Sequence, residues 1–94
     1  MIVIDVYLKV NPAKRAEYLD FVNDLVAKSR QDLGNIFYDH FESLTEKNTF
    51  MIIENWSDEE AVEFHNQTEH LQGFLKNIEQ YLLESYMIKV AQTK

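Results

Sequence analysis

The alternation of apolar residues at the start of the chain constrains the fold more than any other feature. From Ile2 to Val10 every even position holds isoleucine, valine or leucine, whereas the odd positions include Asp5 and Lys9. Successive side chains of a β-strand point to opposite faces of a sheet, so this run predicts a strand with one wholly apolar face. We expect the apolar face to lie against helices.

A helix is predicted directly after this strand. Asn11 is a good N-cap residue, and Pro12 is well tolerated at the first helical position. Apolar side chains then recur at helical spacing, and Gly34 supplies a C-terminal stop signal. The spaced residues are Ala16, Leu19, Val22, Leu25 and Val26.

Two further strands are predicted in the middle of the chain. Residues 35–43 are rich in aromatic side chains, and residues 49–56 contain phenylalanine, two isoleucines and tryptophan. Both compositions favour strands, and the mostly polar residues 44–48 suit a hairpin loop between them.

The last third of the chain predicts two short helical segments and a closing strand. Ser57 and Glu60 have the spacing of a capping box, which indicates a helix start. The first segment is expected to place Ala61, Phe64, His65 and Thr68 along its inward face. A second segment is expected over residues 71–82, followed by a strand over residues 85–91.

The resulting order is β-α-β-β-α-β, which is the arrangement of ferredoxin-like α+β domains with an antiparallel sheet. At 94 residues the chain is expected to form a single domain over residues 1–94. If both helices cover the apolar face of the first strand, alternation leaves another set of residues on the opposite face. That set is Asp5, Tyr7, Glu54 and Trp56.

Composition excludes several classes of function and partner. The net charge of −7 argues against binding to nucleic acid or to an anionic membrane surface. No cysteine is present, which excludes disulfides, thiolate catalysis and cysteine zinc sites. No apolar run approaches the roughly 20 residues of a membrane helix, and no signal peptide is visible. We therefore expect a cytoplasmic protein.

A metal site is not expected from the histidine spacing. His65 and His70 are five residues apart, which puts them about 140° apart on a continuous helix. A bend between two short helices would still allow both to meet around a small molecule. No activated serine motif and no glycine-rich loop for phosphates or dinucleotides is present either.

Proton transfer in an apolar pocket remains the best-supported chemistry. His65 is expected on the inward face of its helix, where an imidazole suits a general acid or base, or else is a core histidine with one hydrogen bond. Trp56 suits a core position or an interface, and Glu54 is expected to need a partner if it points inward. Which face of the second strand lines the pocket stays open. Tyr38 and His40 share one face; Asn35, Phe37, Asp39 and Phe41 share the other.

The segment from Gly34 to Phe74 resembles the antibiotic biosynthesis monooxygenase (ABM) family. The similarity lies in G-N-I-F-Y-D, in the run F-M-I-I-E-N-W, and in the following acidic cap with Ala61. The resemblance implies a homodimer in which two sheets pack as a dimeric α+β barrel. It also implies oxidation of a quinol-like or polyphenolic small molecule by O2 without metal, flavin or another cofactor. The implied base is His65, and the implied substrate-binding residues are Asn35, Tyr38, Glu54, Trp56, His70 and Phe74.

Other branches of the family imply other functions. A haem-degrading branch uses a tryptophan on the helix after the third strand, whereas the only tryptophan here is predicted on the strand. Another similar branch isomerises a phosphorylated autoinducer, a proton transfer at a carbonyl that His65 would also serve. That alternative requires anion contacts, for which Lys9, Lys14 and Arg15 are candidates. A binding or stress-response domain without turnover is the third alternative.

Overall fold

The computed structural model describes residues 1–93 as one antiparallel sheet packed against helices. The element order confirms the predicted ferredoxin-like α+β fold, with the second helical region divided in two. The strands are β1 (Ile2–Lys9), β2 (Asn35–Glu42), β3 (Thr49–Trp56) and β4 (Met87–Gln92), and the helices are α1 (Arg15–Ser29), α2 (Glu59–Asn66) and α3 (Glu69–Asn77). Short 3-10 turns cover Pro12–Lys14 and Ile78–Tyr81.

The sheet has the strand order β2-β3-β1-β4, and every neighbouring pair is antiparallel. The helices cover one face, where Val6 and Leu8 of β1 join Val22 of α1 and Phe74 of α3 in one apolar core. This confirms that the even positions of the first strand meet the helices. Within residues 1–93 no helix is long and apolar enough to span a membrane.

Glu54 and Trp56 lie on the helix-covered face, so their predicted placement beside Asp5 was wrong. In the β1–β3 ladder Ile4 pairs with Glu54, and Ile2 pairs with Trp56. Directly paired residues of antiparallel strands point to the same face of the sheet. Alternation orders the side chains within one strand, but only the register between strands decides which set is covered.

The opposite face of the sheet, here called the open face, carries a mixture of aromatic, aliphatic and charged side chains. The Phe37 and Phe41 rings stack with their centroids 6.5 Å apart, and both are more than a third exposed. Lys89 of β4 places its ammonium 5.3 Å from the centre of the Tyr7 ring. The open face therefore carries exposed aromatic rings beside charged groups.

The turn between α1 and β2 lies directly on the start of α2. Gly34 does not cap α1, which ends at Ser29, but has φ +85° in this turn. A Cβ atom on Gly34 would lie 2.5 Å from Cβ of Ala61 and 2.8 Å from Oγ of Ser57. The Ser57 backbone N–H donates to the carbonyl of Gly34 at 2.9 Å. Only glycine combines this conformation with so close an approach.

The start of α2 differs from the predicted capping box. Asp58 is the N-cap, and its Oδ1 accepts a hydrogen bond from the backbone N–H of Ala61 at 2.9 Å. The buried side of this short helix is centred on Ala61, Val62 and His65. Phe64 is consequently 56% exposed rather than inward as predicted.

Thr68 separates α2 from α3 and caps the second helix. Its Oγ1 accepts from the backbone N–H of Leu71 at 3.2 Å and donates to the carbonyl of His65 at 2.7 Å. The chain therefore changes direction between His65 and His70. This is the bend that the two histidines need in order to meet.

Candidate active site

A cavity of about 600 Å³ lies between the helix-covered face of the sheet and the helices α2 and α3. Its walls are mainly aliphatic and aromatic, supplied by Ile4 and Ile52 of the sheet and by Val62, Leu71 and Phe74 of the helices. A cavity of this size and character suits a small aromatic ligand.

Three polar side chains face the inner part of this cavity. Tyr38 of β2, Glu54 of β3 and His65 of α2 line it, and all three are buried. Of the two faces of β2, the one that carries Tyr38 and His40 therefore lies against the helices, and Tyr38 lines the cavity. His40 shares that face but lies outside the cavity, where Nε2 is 2.8 Å from the hydroxyl of Tyr18.

Asp32 orients the imidazole of His65. Nδ1–H of His65 donates to Oδ2 of Asp32 at 2.7 Å, and the side chains are 2% and 8% exposed. His70 donates to the same Oδ2 from Nε2 at 2.9 Å. A carboxylate that accepts the Nδ1 proton leaves the lone pair of the imidazole on Nε2.

Nε2 of His65 has no hydrogen-bond partner among residues 1–93, although the atom is buried. Burial lowers the pKa of His65, and the hydrogen bond and charge of Asp32 act in the opposite direction. The imidazole is therefore neutral near pH 7 and able to accept a proton. Because buried polar atoms are rarely left unpaired, this nitrogen is a candidate for contact with a ligand.

Glu54 lies opposite His65 across the inner end of the cavity. Its Oε1 is 4.0 Å from Nε2 of His65 and accepts a hydrogen bond from Nε1–H of Trp56 at 3.0 Å. Burial raises the pKa of Glu54 to about 7, with a smaller upward effect from Asp5 and a downward effect from the Trp56 hydrogen bond. Near neutral pH this group therefore exchanges a proton readily.

Tyr38 completes the polar end of the cavity. Its ring meets the rings of Trp56 and His65 edge to face, with centroid distances of 6.3 and 5.7 Å. Burial raises the pKa of Tyr38 well above its ordinary value, and the charge of Glu54 adds to this effect. The phenol therefore stays protonated and can donate a hydrogen bond.

Four of the seven predicted site residues line the cavity: His65, Tyr38, Glu54 and Phe74. The other three do not. Trp56 is fully buried behind Glu54, with its ring 4.5 Å from that of His65. His70 does not line the cavity but is hydrogen-bonded to Asp32, the carboxylate that orients His65. Asn35 starts β2, where its side-chain amide donates to the carbonyl of Phe37 at 3.2 Å.

Asp32 was missed by sequence reasoning because nothing in its neighbours marks it. It lies in the turn that follows α1, where an aspartate is ordinary. The available signal was Gly34 two residues later, since a glycine needed for close approach brings this turn against α2. Asp32 thus reaches His65 across 33 residues of sequence.

Asp32, His65 and His70 also form a group able to hold a metal ion. One ligand atom from each residue lies within 4.8 Å of the others. His65 and His70 meet at Asp32 because α2 and α3 are separate helices, which is the alternative of a bend between two short helices. The nitrogens that face Asp32 already donate hydrogen bonds to it, so a divalent ion bound there would have to displace the protons on Nδ1 of His65 and Nε2 of His70.

Comparison with known proteins identifies the family. The family model described as antibiotic biosynthesis monooxygenase matches residues 1–77. The chain belongs to this family. Among curated ABM relatives, the "Putative monooxygenase YcnE" of Bacillus subtilis is 51% identical over 75 residues, which are 80% of this chain and 79% of that protein.

Solved structures agree with the ABM fold. A Bacteroides thetaiotaomicron protein described as a possible oxidoreductase is 28% identical, with a TM-score of 0.90 over 98% of this chain and 96% of that chain. A structure described as an antibiotic biosynthesis monooxygenase is 23% identical, with a TM-score of 0.91 over 100% of this chain and 99% of that chain. The second likeness supports the fold alone.

Proposed function

We propose that this ABM-family protein is a monooxygenase that oxidises a quinol-like or polyphenolic small molecule with O2 and without a prosthetic group. The observation that carries the proposal is the unpartnered Nε2 of His65, held toward an apolar cavity by Asp32. In that position a neutral imidazole is a general base for a bound phenolic hydroxyl. The family membership and the name of the Bacillus subtilis relative support the same reaction class.

The reaction can be written with the quinol as the source of electrons. Nε2 of His65 takes a hydroxyl proton, and the resulting phenolate is a strong enough reductant to react with O2. A C–O bond forms at the adjacent ring carbon, and the imidazolium returns its proton to the peroxide. The ring carbon then loses its hydrogen as a proton while the O–O bond breaks, which leaves a carbonyl on the ring. The released hydroxide takes that proton and leaves as water.

The remaining cavity residues have positioning roles in this scheme. Tyr38 lines the cavity as a protonated phenol whose hydroxyl lies near Ser29, and Phe74 supplies an aromatic wall. Glu54 lies 4.0 Å from Nε2 of His65, close enough to contact the same reacting region. An apolar enclosure strengthens each of these interactions by excluding water.

The residues considered for a phosphorylated substrate lie elsewhere. Arg15 is engaged with Glu42 and Asn48, and Lys9 pairs with Glu84 at 3.4 Å. Lys14 does not line the cavity either. Isomerisation of a phosphorylated hydroxyketone therefore receives less support than oxidation of a neutral ring.

Oxygen isotope labelling tests the proposed reaction. Menadiol is incubated under 18O2 with the metal-stripped wild-type protein, a His65→Gln variant, and a Glu60→Gln control that is exposed on the same helix. We expect a hydroxylated quinone with one 18O atom from the wild type and the control, and a rate at the uncatalysed level from His65→Gln. Equal rates in all three samples, or a quinone without label, would contradict the proposal.

We also propose that two copies pair through the open face, as the family resemblance implies. The exposed rings of Phe37 and Phe41 lie side by side there, and Met87 of β4 is more than half exposed on the same face. Apolar groups concentrated on one flat sheet favour burial against a second sheet.

A further inference from the structure

The exposed part of the cavity wall, here called the entrance, contains both acidic and apolar side chains. Glu59 and Glu63 of α2 line the cavity, are exposed, and lie one helical turn apart. Ile88 and Val90 of β4 line it from the facing side and are also exposed. The entrance therefore exposes two carboxylates to an arriving ligand, beside aliphatic side chains and the polar Asn66 and Gln72.

No lysine or arginine in residues 1–93 lines this cavity. Lys89 lies between Ile88 and Val90 in sequence, but alternation turns it to the open face, where it contacts Tyr7. The inner end holds the carboxyl group of Glu54, and the carboxylate of Asp32 lies just behind His65. Carboxyl groups thus line the cavity at its inner end and at its entrance, and no lysine or arginine among the described lining residues offsets them.

We infer that this cavity selects aromatic hydroxyl compounds that are neutral or positively charged and rejects anionic ones, and that Glu59 and Glu63 set this preference. The inference rests on the proposed function, because it specifies the substrate class of the same site. A sulfonate, carboxylate or phosphate on the ring would meet repulsion at the entrance and find no compensating partner inside. An ammonium substituent left at the entrance would be attracted by both carboxylates.

Equilibrium binding separates this inference from catalysis. Three ligands that share one ring are titrated calorimetrically at pH 7 and low salt: 1-naphthol, its 4-sulfonate and its 4-aminomethyl derivative. We expect the aminomethyl compound to bind about tenfold more tightly than the sulfonate, with 1-naphthol between them, as two partly exposed carboxylates allow. The difference should shrink in 0.5 M salt, because the entrance charges are exposed to solvent.

Two matched variants assign the effect to the entrance. Glu63→Lys is expected to raise sulfonate affinity and lower aminomethyl affinity, which reverses or abolishes the order. Glu60→Lys changes the net charge equally on the same helix, but Glu60 does not line the cavity, so the wild-type order should persist. Circular dichroism verifies that both variants fold.

The possible outcomes separate the two proposals. Equal affinity of the wild type for all three ligands, or equal effects of the two variants, would overturn the inference and leave the base role of His65 untouched. Failure of all three ligands to bind the wild type would refute the proposed function and the inference together.

Discussion

Replacement of Glu54 by glutamine should stabilise the protein at alkaline pH. Glu54 is 5% exposed, and burial raises its pKa from 4.5 to about 7. Folding therefore favours the protonated carboxyl group, and the ionised form carries a penalty. The stability that Glu54 contributes is fully present below pH 4.5 and is lost as the pH rises through about 7.

The magnitude follows from the two pKa values. The interval from 4.5 to about 7, at 1.36 kcal/mol for each pH unit, corresponds to about 3 kcal/mol of unfolding free energy at pH 8.5. Glutamine removes the ionisation and keeps an oxygen that can accept from Nε1–H of Trp56. Glu54→Gln should therefore be more stable than the wild type by up to about 3 kcal/mol at pH 8.5, whereas the difference that arises from ionisation should be below about 1 kcal/mol at pH 5.

Urea denaturation at pH 5, 7 and 8.5 measures this difference. The fluorescence of Trp56, the only tryptophan, reports unfolding, and far-ultraviolet circular dichroism provides a second probe. Glu63→Gln serves as the control because it removes the same charge from an exposed position. A Glu54→Gln variant that is less stable than the wild type at pH 8.5, or whose advantage does not change with pH, would refute the reasoning.

Four other measurements test the site and the fold. Asp32→Asn should lower kcat for menadiol by about a hundredfold or more because a neutral amide, which can also donate, no longer fixes the Nδ1–H tautomer of His65, as steady-state kinetics would show. Burial lowers the pKa of His40 to about 4, so the contribution of His40 to stability should fall by about 3 kcal/mol between pH 6.5 and 4, and urea titrations should show His40→Gln gaining that much relative to the wild type over this interval. Gly34→Ala should cost about 2–4 kcal/mol in the same assay through its positive φ and contact with Ala61. Light scattering should give about twice 11.2 kDa for the wild type, and Phe41→Glu on the open face should shift it toward the monomer; an unchanged mass would argue against pairing through that face.

The kinetic prediction for Asp32 has a structural counterpart. Asp32→Asn retains the size of the side chain, so folding should be nearly unchanged while the pH dependence of kcat moves with the altered pKa of His65. If Asp32→Asn lowers the free energy of unfolding to the same degree as it lowers kcat, Asp32 has a structural role. The argument that Asp32 orients His65 for proton transfer then fails. This distinction requires kinetics and urea denaturation on the same preparations.

Local sequence patterns determined most of the secondary structure and, through the order of elements, the fold. The alternation in β1 and the bounds of β3 agree with the structure because both depend on side chains close together in the chain. The cap by Asn11 is equally local: its Oδ1 accepts from the backbone N–H of Ala13 at 3.0 Å. The sequence also marked His65, since a polar residue on an inward helical face is unusual.

Only the tertiary structure decided which side chains meet. The register between β1 and β3 placed Glu54 in the core, and one residue of slippage would have placed it on the open face. The pairing of Asp32 with His65 depends on a turn packed against a helix, made possible by Gly34. Such contacts arise from long-range packing, which leaves no periodic trace in the sequence. The sequence marked His65, the proposed base, whereas it did not mark Asp32, the carboxylate that orients it.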